Sequence, residues 1–347
     1  MNAILFAGDQ KAVYLHGVNK AFLPLEGVPL FIHVLSALNQ APSIETVYII
    51  GPRKQIMNEL EKALPFFLFA KKIKVLEQKE TLFENIMSAY AEASSGVGSA
   101  TFQFGLNAPP VLFLPADIPL VTGNEIESFI LTSDMDQYDY CMAVTSAEHL
   151  KQFYPKPGVG EHLARAKEPG IKMPYLYLKD ETYRISNLHI ARLSYSKALS
   201  MIQTIYTHRH QKNILNRIGM FFVLLKTDHA KRLLWFYLLA QGAALSSRFG
   251  LSLIATLFRK SLQLGRVEKE VSSLLGMRFK SIELNCGGAA LDIDDEATYQ
   301  TINLVFNQWH AKLLQEIPEE STKAHCPFQA QCHDHEQPHE HEHEMAS

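Results

Sequence analysis

Lysine can neutralise phosphate groups and aspartate can hold the divalent cation that does the same, and in this chain of 347 residues both stand beside apolar runs that read as strands. Ala3–Gly8 (AILFAG) ends on a glycine, where the missing side chain lets a ligand approach the backbone. Lys20 follows in Asn19-Lys20-Ala21-Phe22-Leu23-Pro24-Leu25, and a lysine reaching over strand ends can neutralise phosphate oxygens. Leu114-Pro115-Ala116-Asp117-Ile118-Pro119 delivers a carboxylate off the end of a strand. Ligands of open α/β sheets bind at such carboxyl ends. An aspartate there can hold Mg²⁺, a cation that prefers oxygen and keeps substrate phosphates in its remaining sites. Asp292, Asp294 and Asp295 form a third acidic element. Alternate residues of an extended segment point the same way, so Asp292 and Asp294 can share a face. Plainer readings exist for each: a solvated Lys20, an Asp117 that caps the next turn, and Asp295 with Glu296 at a helix start.

These residues need elements to carry them. Ala3–Gly8, Thr46–Gly51, Lys72–Glu77 and Val111–Ala116 read as strands with near-continuous apolar character, as expected when helices cover both sheet faces. Helices are predicted from Pro29 to about Leu38, over Ile56–Leu64 and over Thr81–Ser94. Thr81 with Glu84 and Thr122 with Glu125 have capping-box spacing. Tyr138–Val144 is a further strand, after which Pro155, Pro157, Gly158 and Gly160 mark a loop and Tyr175–Asn187 a hairpin. From about Lys197 to Gly276 the pattern is helical; strand-like Phe279–Leu284 and a closing helix, Glu296–Leu314, follow. The expected organisation is an α/β core over 1–196 and 279–314, a helical insertion over 197–278, and a His-rich tail over 319–347 that is not a domain.

Composition narrows the function classes. Hydrophobic residues at 47% and charged residues at 20% exclude disorder along most of the chain. A formal charge of -3 lacks the basic footprint of a nucleic-acid binder. Four scattered cysteines make no disulfide framework, and the first apolar run has no basic leader, so a soluble cytoplasmic protein is expected. In the insertion, Arg209 and Lys212 can bind an acceptor phosphate or lie on a solvated face. Leu233–Ser247 and Phe249–Phe258 are flanked by basic residues and suit either buried core helices or peripheral membrane contact. In the tail, Cys326, Cys332, His333, His335 and the later histidines can bind a transition metal such as Zn²⁺ or Ni²⁺, in no standard closed spacing.

The runs Leu5-Phe6-Ala7-Gly8 and Asn19–Leu30, then LPADIPLVT over Leu114–Thr122 and LDIDDEATY over Leu291–Tyr299, resemble in order the motifs of MobA-like nucleotidyltransferases. That resemblance implies a Rossmann-like three-layer α/β fold shared with A-type glycosyltransferases. It implies NMP transfer from an NTP to a small phosphorylated or cofactor-like acceptor, with release of pyrophosphate. Carried onto this sequence, Ala7 and Gly8 line the nucleotide pocket, Lys20 contacts phosphates and Asp117 binds the catalytic Mg²⁺. Asp294 is the second carboxylate, with Asp292 the alternative. Asn85 approaches the base or sugar, and Ser186 and Asn187 the acceptor. The family's second glycine and arginine are absent from Gly8-Asp9-Gln10-Lys11-Ala12, where Lys11 can replace the arginine. Two other readings stay open. The Asp292-Ile293-Asp294 pattern suits a nucleotide-sugar glycosyltransferase, and the altered loop suits a catalytically degenerate nucleotide-binding protein.

Overall fold

The computed structural model describes residues 1–8, 14–15, 17–95, 108–157, 167–193, 228–249 and 251–316. In chain order the elements begin with β1 (Asn2–Phe6), β2 (Tyr14–Leu15), β3 (Val18–Asn19), β4 (Pro24–Leu25), β5 (Val28–Pro29) and α1 (Leu30–Gln40). Next come β6 (Thr46–Gly51), α2 (Arg53–Ala63), β7 (Lys72–Glu77), α3 (Leu82–Ser95), β8 (Val111–Pro115) and α4 (Gly123–Thr132). They are followed by β9 (Tyr140–Ser146), α5 (Ala147–Leu150), β10 (Lys156–Pro157), β11 (Lys167–Glu168), β12 (Leu176–Tyr177) and β13 (Thr182–Ala191). The last described elements are α6 (Asp228–Arg248), α7 (Ser252–Arg259), α8 (Leu264–Leu275), β14 (Phe279–Glu283) and α9 (Glu296–Gln315).

The apolar runs pair into one sheet in the order β14-β9-β13-β8-β1-β6-β7, with β12 added beside β13. β1 is parallel to β6 and β8, β6 to β7, and β14 to β9. Between β8 and β9, β13 runs antiparallel to both. On one face, Phe31 and Leu35 of α1, Ile56 of α2 and Phe129 of α4 cover Leu5, Ile49 and Leu114. On the other, Ala89, Tyr90 and Ala93 of α3 cover Ile4, Tyr48 and Phe113. Burial on both faces is why β1, β6 and β8 read as unbroken hydrophobic runs. The sheet is Rossmann-like and mostly parallel, and its strands end in step. The Ala7 amide donates to the Ile50 carbonyl at 2.9 Å, Ala116 to Phe6 at 3.0 Å, and Gln78 to Gly51 at 3.1 Å. A Cβ on Gly51 would lie 2.6 Å from the Ala7 carbonyl oxygen, so this close approach needs glycine.

The caps form as their spacing predicts. Thr81 Oγ1 accepts from the Glu84 amide at 3.1 Å while Glu84 Oε2 accepts from the Thr81 amide at 3.0 Å. Thr122 Oγ1 accepts from the Glu125 amide at 3.2 Å, and Asp295 Oδ1 from the Thr298 amide at 2.8 Å. α9 buries Ile302, Val305, Phe306, Trp309 and Leu313 against Leu23, Leu25 and Leu30 and against Leu291 and Ile293. That packing ties the segment after Lys20 to the segment that carries the late aspartates.

Candidate active site

Asn19 fixes the entry to Lys20. Its Oδ1 accepts from the Ala21 amide at 3.1 Å, and its Nδ2 donates to the carbonyls of Gly8 at 3.0 Å and Ala7 at 3.3 Å. The turn places Lys20 beneath the strand ends, where it is 7% exposed, so the solvated reading of this lysine does not hold. Its ammonium donates to the Ile293 carbonyl at 2.6 Å and meets Asp117 Oδ2 at 2.8 Å and Asp294 Oδ1 at 3.5 Å. Two aspartates from opposite ends of the fold therefore converge on one positive charge.

Asp294 reaches that point because the strip from Cys286 to Ile293 is braced along its length. Thr145 Oγ1 donates to the Cys286 carbonyl at 3.2 Å and Asn187 Nδ2 to the Ala289 carbonyl at 2.9 Å. Arg184 Nε donates to the Ala290 carbonyl at 2.7 Å, and its Nη2 forms a short ion pair with Asp292. Finally the Ile293 amide donates to the Asp117 carbonyl at 2.9 Å. Ile293 is fully buried while Asp292 and Asp294 turn to the polar side, the alternation expected of an extended segment. A Cβ on Gly288 would sit 2.2 Å from the Leu120 carbonyl oxygen, so the strip passes this point only as glycine.

The charges are unbalanced. Asp117, Asp292 and Asp294 face two cations, Lys20 and Arg184. Burial and then the neighbouring Asp292 push the Asp294 carboxyl up. Burial also pushes Asp117 up against the pull of Lys20. Burial opposes the charged form of Lys20, but Asp117 and Asp294 outweigh it and hold the ammonium protonated. A surplus carboxylate is what a divalent cation relieves. Among the described residues no cluster of three His, Cys, Asp or Glu side chains forms a ready metal cage. Mg²⁺ does not require one, since one or two carboxylates with waters and substrate phosphates suffice. The lysine ammonium lies within ion-pair distance of both aspartates, at 2.8 and 3.5 Å, so their carboxylates converge on one point.

Beside Lys20 lies a pocket of about 210 Å³ lined by Ala7, Gly8, Gln78, Lys79, Asn85 and Asp117 among others. Asn85 lines it while holding a neighbour, because its Oδ1 accepts from the Lys79 amide at 2.5 Å. Ser186 is fully buried and bonds Thr145 at 2.9 Å, and Asn187 braces the strip, so these two expected acceptor residues support the site from behind. Lys11, Arg209 and Lys212, together with the tail cysteines and histidines, lie outside the described residues. Sequence reasoning missed Arg184 altogether, read Glu125 only as a capping-box residue, and gave Asn19 no role of its own. For Asn19 a local signal existed, an Asx residue two before an amide it can cap; for Arg184 there was none.

Glu125 is fully buried behind the strip, where its Oε1 accepts from the Ala289 amide at 3.0 Å. Burial pushes its carboxyl up to about 8, against the pull of the Ala289 amide. The unfolded chain releases this proton near the ordinary carboxylate range and the folded protein keeps it to about pH 8. Stability from this group is therefore full below the unfolded value and is lost as pH rises toward 8, by up to ~1.4 kcal/mol per pH unit. Glu125→Gln is expected to flatten that decline in thermal melts between about pH 5 and pH 8. Parallel melting curves for the two proteins would remove the assignment.

Comparisons with known proteins agree with this architecture. A hypothetical transferase from Thermus thermophilus superposes with a TM-score of 0.53 at 20% identity, covering 85% of this chain and 97% of that one, and shares the fold. CMP:2-keto-3-deoxy-manno-octonic acid synthetase complexed with CTP is a more distant likeness, at TM-score 0.43 and 11% identity over 88% of this chain and 98% of that one. No curated protein matches. The family model for the MobA-like NTP transferase domain matches residues 3–218, more than half of the chain. The chain thus belongs to the MobA-like NTP transferase domain family.

Proposed function

We propose that the protein is a Mg²⁺-dependent nucleotidyltransferase that moves an NMP from an NTP to a small phosphorylated or cofactor-like acceptor. The observation that carries this reading is the meeting of Asp117 and Asp294 on Lys20 at the rim of the strand-end pocket. An acceptor oxygen attacks the α-phosphorus, the bond from that phosphorus to the bridging oxygen of the β-phosphate breaks, and pyrophosphate leaves. Such transfer asks for positioning and charge neutralisation more than for a protein nucleophile. Lys20, held protonated, supplies a fixed positive charge beside the phosphates, while Ala7 and Gly8 let them approach the backbone. Asp117 and Asp294 would hold Mg²⁺, which supplies further neutralisation of phosphate charge when bound. The Asp292 carboxylate is engaged by Arg184, which weighs against the glycosyltransferase reading of Asp292-Ile293-Asp294. On this proposal residues 1–196 and 279–314 make the catalytic core, 197–278 an insertion and 319–347 an appended tail.

The test is a thermal-shift screen of the four NTPs with and without Mg²⁺, followed by product analysis. One NTP is expected to raise the melting temperature only with Mg²⁺, by mass action on the folded state, and turnover is expected to release pyrophosphate. Release of a nucleoside diphosphate from a nucleotide sugar would replace this reading with glycosyl transfer. Binding without turnover across phosphorylated acceptors would replace it with a degenerate nucleotide-binding role.

A further inference from the structure

The helices of the insertion carry a surface that catalysis does not use. Their inner side packs Phe236, Leu239 and Ala240 of α6 and Leu262 against Val144 of β9, Tyr183 of β13 and Leu178 between β12 and β13. The β12–β13 turn fastens their base. The Lys179 amide donates to the Leu262 carbonyl at 2.8 Å, and Asp180 Oδ2 accepts from the Leu264 amide at 2.9 Å. Phe258 of α7 lies against Gly242 of α6, where a Cβ would come within 3.2 Å of its ring.

The outer side is apolar and faces solvent. Leu253 is 86% exposed, Phe249 71% and Leu257 70%, with Trp235, Leu238 and Ile254 also exposed. Half of the exposed large apolar side chains among the described residues fall between Trp235 and Leu257. A patch of this kind marks a binding surface. Charge identifies what binds. Among the described residues from Asp228 to Lys260 there are five lysines and arginines and one acidic residue, Asp228, in a chain whose 36 acidic residues otherwise outnumber its 33 basic ones. Lys231, Arg232, Arg259 and Lys260 bracket the apolar stretch; Arg232 also pairs with Glu270, and Arg259 lies over the Tyr177 ring.

We propose that the outer face of α6 and α7 docks on an anionic lipid bilayer, with its leucines and aromatics in the headgroup boundary and its cations among lipid phosphates. Apolar residues between cations, with tryptophan and tyrosine at the rim, are the composition of an interfacial helical surface. No helix among the described residues is long and apolar enough to cross a membrane, so the contact lies on the surface. A second copy of the chain is disfavoured because an isologous contact would set two cationic segments against each other. A nucleic acid would match the cations but offers nothing for Leu253 and Leu257 to enter. Tyr183, packed under the insertion, is adjacent in β13 to Arg184, which holds Asp292. Docking would therefore bring the carboxylate end of the sheet close to the lipid surface.

Co-sedimentation of the full chain with vesicles tests this. At low salt the protein is expected to pellet with phosphatidylglycerol-rich vesicles and not with phosphatidylcholine alone, and Trp235 emission is expected to shift to the blue. The double variant Leu253→Glu, Leu257→Glu, at two exposed positions, should weaken binding about tenfold or more with an unchanged melting temperature. Leu131→Glu, at an exposed leucine of α4, should leave binding intact. Failure to pellet with anionic vesicles at low salt would overturn the proposal, as would equal binding by the double variant. A dimer in solution that the double variant abolishes, without vesicle binding, would assign the face to a second copy; loss of vesicle pelleting to added RNA, with the double variant binding RNA as well as the parent, would assign it to nucleic acid.

Discussion

Asp117→Asn is expected to lower turnover by about a thousand-fold or more while leaving the fold in place. The substitution keeps the shape of the side chain and removes its charge. The backbone contact that ties Asp117 to the strip, carbonyl to Ile293 amide at 2.9 Å, is untouched. What is lost is the carboxylate nearest Lys20, at 2.8 Å, and with it the stronger of the two proposed holds on Mg²⁺. A bound divalent ion is worth several kcal/mol to a phosphoryl transition state, and each ~1.4 kcal/mol is tenfold in rate. Since Lys20 then faces one carboxylate, Asp294, with only neutral oxygens at position 117 and Ile293, its ammonium is freer to engage phosphate. NTP binding should therefore persist while its Mg²⁺ dependence weakens. Pyrophosphate release with an NTP thermal shift checks both halves, and wild-type turnover in this variant would end the proposed role of Asp117.

Arg184→Ala is expected to be the most destabilising single change at the site. Arg184 and Asp292 have side chains only 10% and 15% exposed, and the guanidinium also serves the Ala290 carbonyl. Removing one partner of a buried ion pair costs ~3–5 kcal/mol because the other charge stays behind. For a chain of this size that corresponds to a fall in melting temperature of about 4–7 °C. Activity should fall beyond the loss of folded protein, since Asp292 then competes with Asp294 for Lys20. Adding Asp292→Asn to the variant should recover part of the stability, a coupling that a double-mutant cycle measures directly. Additive effects would mean that the pair does not hold the strip.

The strands β1, β6 and β8 were legible because each is buried on both faces and leaves an unbroken apolar run, whereas β7, at the sheet edge, is only half-buried. The start of α2 was less so. The helix begins at Arg53, three residues before the expected Ile56, because Arg53, Lys54 and Gln55 are exposed and add nothing to an apolar pattern. Asp117 was legible from its place after an apolar strand. The burial of Lys20 was not, since its partners lie far along the chain; the Ile293 carbonyl is 273 residues away. Arg184 was invisible for the same reason, its partner Asp292 being 108 residues distant. Ser186 and Asn187 were noticed through the family resemblance, yet their bonds to Thr145 and Ala289 show side chains that brace the late segment. Local caps such as Thr81 with Glu84 could be read because both partners sit within one turn.

One property of the braced strip bears on how the protein is made. Asp294 is carried by a segment synthesised after α6, α7 and α8 and after the edge strand β14. The residues that line the pocket, and Asp117, all precede it in the chain. Emergence of residues past Asp294 from the ribosome is therefore the event that completes the pair of aspartates around Lys20 on which the proposed function rests.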